Sequence, residues 1–160
     1  MQKKRKGSSF NSIRAKRELE TIILFTTGKC NAKCAMCFYA NEMEKKAEDL
    51  SLDEIRKISE TAGEVKRLLL SGGEPTMREE LPEIIEMFYN NNHITDLNLP
   101  TNGMKTERII EWISRWRKSC PDLNITVSVS FDGFGVTHDK QRGIESFYKA
   151  AETLKKLDDH

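Results

Sequence analysis

No stretch of this chain is apolar for long enough to cross a bilayer, which needs about 20 such residues. Nor does its start read as a secretory signal. The apolar run Ile22-Ile23-Leu24-Phe25 is too short for a signal core, and Arg17-Glu18-Leu19-Glu20 interrupts the approach. Net charge is nearly absent as well: 26 basic groups stand against 25 acidic ones, so the whole-molecule field suggests no particular partner and nucleic acid is not expected. Cysteine is scarce, four in all, and three of the four sit within eight positions. That distribution excludes a disulfide framework and suggests a metal site in a reducing, cytoplasmic compartment.

The charge balance hides one asymmetry. Residues 1–17 carry seven basic groups (Lys3, Lys4, Arg5, Lys6, Arg14, Lys16, Arg17) and no acid; the rest holds 19 basic and 25 acidic groups, a net of −6. A basic arm can touch phosphate or acidic peptide, but such a terminus is more often solvated and poorly ordered. The sequence thus divides into an arm, residues 1–18, and a single core domain, residues 19–160, long enough for one hydrophobic core.

The clustered cysteines read Cys30-Asn31-Ala32-Lys33-Cys34-Ala35-Met36-Cys37, a C-x3-C-x2-C spacing. Positions i, i+4 and i+7 also share a helical face, so three small core residues are one reading. Zinc is another, although a structural zinc usually takes four protein ligands. The flanks argue against a core helix, because Thr26-Thr27-Gly28-Lys29 separates the cysteines from an apolar strand-like run. Three thiolates can hold an iron–sulfur cluster, but a [4Fe–4S] cube takes four ligands. A set of three leaves one iron open to bind a small molecule.

Beyond residue 18, β-type and α-type patterns alternate. Strands are expected over Thr21–Thr27, 65–70, 94–99 and 125–131. Ser51 and Glu54 have capping-box spacing before a helix marked by Ile55, Ile58 and Ala62 and stopped by Gly63. Leu81, Ile84, Ile85 and Phe88 line a second helix, with Pro82 in its first turn. Thr106 is expected to cap a third helix carrying Ile109, Ile110, Ile113 and Trp116. Ile144, Phe147, Ala151 and Leu154 are expected to line a fourth. Alternating βα units imply a parallel sheet, and their spacing of about thirty residues suits a (β/α) barrel. The fold class is therefore α/β, a partial barrel of about four βα units.

Each strand ends in a polar or glycine-rich segment: the cysteines, then Ser71-Gly72-Gly73-Glu74-Pro75, then Pro100-Thr101-Asn102-Gly103, then Ser130-Phe131-Asp132-Gly133. In α/β barrels the chemistry sits at these strand ends. In the fourth strand Ile125, Val127, Val129 and Phe131 alternate with Thr126, Ser128 and Ser130. The oily face is expected to meet helices and the hydroxylic face, with Asn98 from the third strand, to line the lumen.

The cysteines followed by Gly72-Gly73-Glu74-Pro75 resemble the radical S-adenosylmethionine (SAM) superfamily. Ser130–Gly133 and His138-Asp139-Lys140-Gln141-Arg142-Gly143 resemble its subgroup with SPASM or twitch extensions, to which peptide and sulfatase maturases belong. The resemblance runs from about Leu19 to the end. It implies a [4Fe–4S] cluster on Cys30, Cys34 and Cys37, with SAM on the fourth iron. Reductive cleavage of SAM then gives a 5′-deoxyadenosyl radical that abstracts hydrogen from a peptide, protein or related small-molecule substrate, fed by a low-potential donor of flavodoxin or ferredoxin type. By resemblance, Gly72, Gly73 and Glu74 receive the SAM amino group, Pro75 stiffens the turn and Ser130 meets the ribose. Arg142 holds the polar end, Asn102 lines the rim, and Met36 stands near adenine where the family often has an aromatic.

Other residues get duller readings. Cys120 is a structural thiol, His93 a loop residue, and His138 an ordering residue for the loop carrying Arg142. Trp112 and Trp116 read as core or partner surface, and Phe38 and Tyr39 as packing beside the cluster to exclude water. The family barrel usually has six units and a C-terminal extension. The expectation is an N-terminal piece of a larger enzyme, with a fourth strand left as an edge; an incomplete cluster-binding remnant and a zinc or redox module are the alternatives.

Overall fold

A computed structural model describes residues 19–43 and 48–159. The basic arm, residues 1–18, lies outside the described residues. Four parallel strands, β1 (Thr21–Thr27), β2 (Arg67–Gly72), β3 (Asp96–Thr101) and β4 (Asn124–Val129), form one sheet in sequential order. Among the described residues six α-helices accompany them: α1 (Ala40–Met43), α2 (Leu52–Ala62), α3 (Leu81–Asn92), α4 (Thr106–Ser119), α5 (Val136–Arg142) and α6 (Phe147–Asp158). This is the expected α/β partial barrel. β2, β3 and β4 lie one or two residues from their predicted bounds.

Local signals account for most boundaries. Ser51 and Glu54 close a reciprocal capping box at α2. Pro82 sits in the first turn of α3, where no backbone donor is missed. His93 ends that helix in the left-handed region, φ 55°, with its N–H on the Tyr89 carbonyl.

One face of the sheet is oily. Leu24, Leu68, Leu70, Leu97 and Leu99 meet Ile55, Ile84, Ile85, Phe88, Ile109 and Trp116 in a single core. α2 packs on α3, α3 on α4 and α4 on α6. Both tryptophans are core, and the Trp116 indole N–H, reaching the Pro82 carbonyl at 3.4 Å, links α4 to α3. The opposite face is open: Ile23 and Phe25 are exposed, and Ser128 Oγ donates to Asn98 Oδ1 at 3.0 Å. The hydroxylic side of β3 and β4 thus faces away from the helices, as the alternation requires. Among the described residues β4 pairs with β3 alone, and a groove lined by Ile113, Leu123, Ile125, Val127, Leu154 and Leu157 runs beside its other edge.

Three expectations change. Thr106 does not cap α4: its hydroxyl pairs with Thr153 Oγ1 at 2.6 Å, and Thr153 donates on to the Gly103 carbonyl. The buried face of α6 is Ala150 and Thr153, while Leu154 is exposed. The reason is close packing on the β3 rim, where a Cβ on Gly103 would stand 3.0 Å from Ala150 Cα, leaving no room for Leu or Phe. The segment carrying Arg142 is a helix, α5, rather than a loop.

Candidate functional site

The cysteine loop, residues 28–39, is tied at its root, to the ends of β2 and β3, and to α5, which follows β4. At its root, Asp49 accepts from Thr27 Oγ1 (2.7 Å) and from the Gly28 amide (2.8 Å). From the end of β2, the Gly73 amide donates to the Thr27 carbonyl at 2.7 Å and the Glu74 amide to the Lys29 carbonyl at 2.8 Å. A Cβ on Gly72 would lie 2.5 Å from Thr27 O, and one on Gly73 would lie 2.1 Å from Lys29 O. Both glycines are therefore required by the neighbouring backbone, and Gly72 also adopts φ 115°.

Glu74 is buried and joins β2 to β3. Its Oε1 accepts from the Thr76 amide (3.2 Å), Thr76 Oγ1 (2.7 Å) and Thr101 Oγ1 (2.8 Å), and its Oε2 from the Asn102 amide (2.8 Å). The β2–β3 backbone register ends at Leu69 opposite Asn98, so this carboxylate takes over where the ladder stops. Asn102 is buried too, and passes the tie on: its Nδ2 donates to Asn31 Oδ1, inside the cysteine loop, at 2.7 Å. Pro75 opens a short 3-10 turn, residues 75–77. Behind it the buried Arg78 donates to the Thr26 carbonyl at 2.7 Å and the Leu50 carbonyl at 2.6 Å.

From the far side comes α5. The Lys33 amide donates to the Arg142 carbonyl (3.0 Å) and the Ala35 amide to the Gln141 carbonyl (2.9 Å). The Arg142 guanidinium meets Asp132 as an ion pair, Nε to Oδ2 at 2.5 Å, without the alignment of a hydrogen bond. Its Nη1 approaches Cys34 Sγ at 3.8 Å. His138 is buried, with Nδ1 accepting from the Asp132 amide at 3.3 Å and Nε2 at 3.0 Å from Ser146 Oγ. Because Nδ1 accepts, the proton of the neutral ring sits on Nε2, and His138 orders the segment instead of acting as a base for Ser146.

The sequence expectations are thus sorted. Cys30, Cys34, Cys37, Gly72, Gly73, Glu74, Asn102 and Arg142 are brought to one rim. Ser130 stands beside them, half-buried, its amide on the Thr101 carbonyl and its hydroxyl uncommitted among the described residues. Met36 is half exposed on the loop. Phe38 is 81% exposed and meets Tyr39, whose own ring packs on Phe25. Cys120 lies in the core beside Trp116 and cannot join the trio. Asn31, Asp49, Arg78 and Asp132 were missed, since each acts through a tertiary contact that no local spacing announces.

The donor set fits a cluster with one open corner. Three free, half-buried thiols share one loop. The fourth cysteine lies in the core, so the loop supplies three sulfur ligands where a structural zinc takes four. Burial first, then the charges of Glu74, Cys34 and Cys37, pushes the Cys30 thiol above its ordinary pKa, partly offset by the Ala32 amide. Crowded thiolates repel one another until bound iron supplies positive charge.

Comparison with known proteins agrees with this geometry. The chain is 32% identical over 146 residues to a GTP 3′,8-cyclase of Mannheimia succiniciproducens, covering 83% of this chain and 42% of that protein. It is 30% identical over 143 residues to a probable GTP 3′,8-cyclase of Methanocaldococcus jannaschii, covering 85% and 47%. A Methanococcus maripaludis (strain C7) protein of the latter description is 40% identical over 94 residues, covering 58% and 31%. The chain spans less than half the length of these curated relatives. Among solved structures, native anSMEcpe with bound AdoMet and Cp18Cys peptide shares the fold, with a TM-score of 0.65 at 24% identity over 88% of this chain and 41% of that one. Residues 24–160 match the family model described as the radical SAM superfamily. That match takes in the cysteine loop and every element after it, and the chain belongs to the radical SAM superfamily.

Proposed function

We propose that this chain forms the cluster- and SAM-binding half of an enzyme that starts radical chemistry. Bound at the rim, a [4Fe–4S] cluster and SAM supply one-electron cleavage of the sulfonium and a 5′-deoxyadenosyl radical that abstracts hydrogen from substrate. Cys30, Cys34 and Cys37 hold three irons and leave the fourth for SAM. The amides of Gly73 and Glu74 are spent on the end of β1 and the cysteine loop, so what this turn offers an ammonium group is acceptors: the Gly73 carbonyl, uncommitted among the described residues, and the remaining lone pair of Glu74 Oε2. Arg142, held beside Cys34, turns its guanidinium to the SAM carboxylate. Ser130 offers its hydroxyl to the ribose, and Met36 lays an apolar side chain against adenine.

The observation that carries this reading is the trio of thiols gathered on a loop tied to the ends of β2 and β3 and to α5, with the fourth cysteine buried elsewhere. Relatives named as GTP 3′,8-cyclases make a purine nucleoside triphosphate the first substrate to test, and a cysteine-containing peptide the second. A low-potential, one-electron carrier in a reducing compartment is the matching donor. Anaerobic reconstitution tests the proposal. The protein should take up about four irons per chain and, with a reductant, convert SAM to 5′-deoxyadenosine. Deuterium from labelled GTP should appear in that product. A colourless protein carrying zinc, or a full cluster that never cleaves SAM, would remove the proposal.

A further inference from the structure

We propose that the C-terminal end of α5 is a template for the second half of the cysteine loop, with Gly143 as its positioning residue. The functional side of this inference rests on the cluster reading above.

The loop is held in two parts. Residues 27–31 are tied by Asp49, Gly73, Glu74 and Asn102. Residues 33–35, which flank Cys34, are held by α5: the Lys33 amide on the Arg142 carbonyl and the Ala35 amide on the Gln141 carbonyl. The last carbonyls of a helix have no partner within it, so the two amides complete the helix as the helix fixes the loop.

Gly143 makes the approach possible. It turns in the left-handed region at φ 66°, its own amide on the Asp139 carbonyl. A Cβ there would lie 2.2 Å from Lys33 O and 2.9 Å from Lys33 C. Both are backbone atoms, so no rotamer change relieves the clash, and any side chain at 143 drives the Lys33–Cys34 peptide off α5. At its other side α5 is anchored by His138 to the Asp132 amide and to Ser146, and by the Asp139 carboxylate, which accepts from the Ser146 and Phe147 amides. Cys34 is thus placed by the β4–α6 connection, and Cys30 by the ends of β2 and β3.

The template has an electronic consequence. With the Lys33 and Ala35 amides committed to carbonyls, neither is left to donate to sulfur. Hydrogen bonds to sulfur are one of the levers that raise a cluster's reduction potential. Loss of the template frees two amide donors next to Cys34 and draws its sulfur away from Arg142 Nη1, so the hydrogen bonding around that sulfur, and with it the potential, changes.

The test compares Gly143→Ala with Gly63→Ala. Gly63 also has positive φ, 71°, but a Cβ there meets nothing within 4 Å. Both variants carry backbone strain, and only the first collides with the loop. In the metal-free protein the Lys33 and Ala35 amides should be protected from hydrogen exchange and lose protection in Gly143→Ala alone. After anaerobic reconstitution Gly63→Ala should load iron like the unchanged protein. Gly143→Ala should load several-fold less, with an altered electron paramagnetic resonance spectrum and a changed midpoint potential in what does load. Equal loading with the same spectrum and potential overturns the proposal, as do open-chain exchange rates at Lys33 and Ala35 in the unchanged protein. Should Gly143→Ala not fold, the exchange measurement on the unchanged protein decides. If the unchanged protein takes up no iron, the cluster reading fails, and exchange still judges the template.

Discussion

Replacing Glu74 with glutamine tests whether this carboxylate is first a structural acceptor. Four donors end on it: three on Oε1 and the Asn102 amide on Oε2. Glutamine retains one oxygen. In its better orientation that oxygen keeps the two threonine hydroxyls and the Thr76 amide, and the new NH2 group faces the Asn102 N–H. One buried donor then loses its acceptor, and three hydrogen bonds lose the assistance of charge. Leaving a buried donor unsatisfied costs about 1–3 kcal/mol. Neutralising the acceptor of the other three adds a further contribution, so a net loss of about 3 kcal/mol is expected. For a domain of this size each kcal/mol lowers the melting temperature by about 2–4 °C, which puts the melting temperature of the metal-free protein roughly 6–12 °C lower. The assay is thermal unfolding followed by circular dichroism, with neither iron nor SAM present. If Glu74 served only to meet SAM, the metal-free protein would melt as before. A change below about 1 °C would sink the claim that it takes over from the β2–β3 ladder.

Two further outcomes follow from the same contacts. Cys34→Ala should abolish iron uptake, whereas Cys120→Ala should load iron normally and lose only about 1 kcal/mol of core packing; equal loading in both variants contradicts the ligand assignment. Asp139 has its carboxyl held below the usual range, first by the Ser146 amide and then by the Phe147 amide. Its stabilisation is therefore complete above the unfolded carboxyl value of about 3.9 and is lost as pH falls through the lower folded value. Asp139→Asn should flatten that part of the acid limb in a pH series of melting temperatures, and identical acid limbs would deny the contact.

How far the sequence could be read depended on where each element finds its partners. β1 to β4 and helices α2 to α4 carry their own signals, because their apolar residues recur with the period of the element that buries them. The strand-end segments were legible as a constellation for the same reason, since an alternating fold puts them on one rim. α5 was not, because nothing local announces it: Gly135 gives no side-chain cap, and what holds the helix is His138 on Asp132 and the cysteine loop on its last carbonyls. α6 was read on the wrong face because burial there follows fit against Gly103 and a hydroxyl chain through Thr106 and Thr153, while hydrophobicity points to Leu154. The glycines show the same limit. A Gly-Gly-Glu turn after a strand suggests a ligand approaching a bare backbone, yet the nearest backbone to Gly72 and Gly73 belongs to the chain itself, at Thr27 and Lys29. These glycines let the cysteine loop lie against the β2 end, and the ligand-facing side of the turn is left with carbonyls. A Cβ at Gly73 would therefore displace Cys30 before it obstructed any cofactor. Gly73→Ala should accordingly lower iron uptake and not only SAM affinity; a variant that loads iron fully but binds SAM weakly would return Gly73 to the ligand.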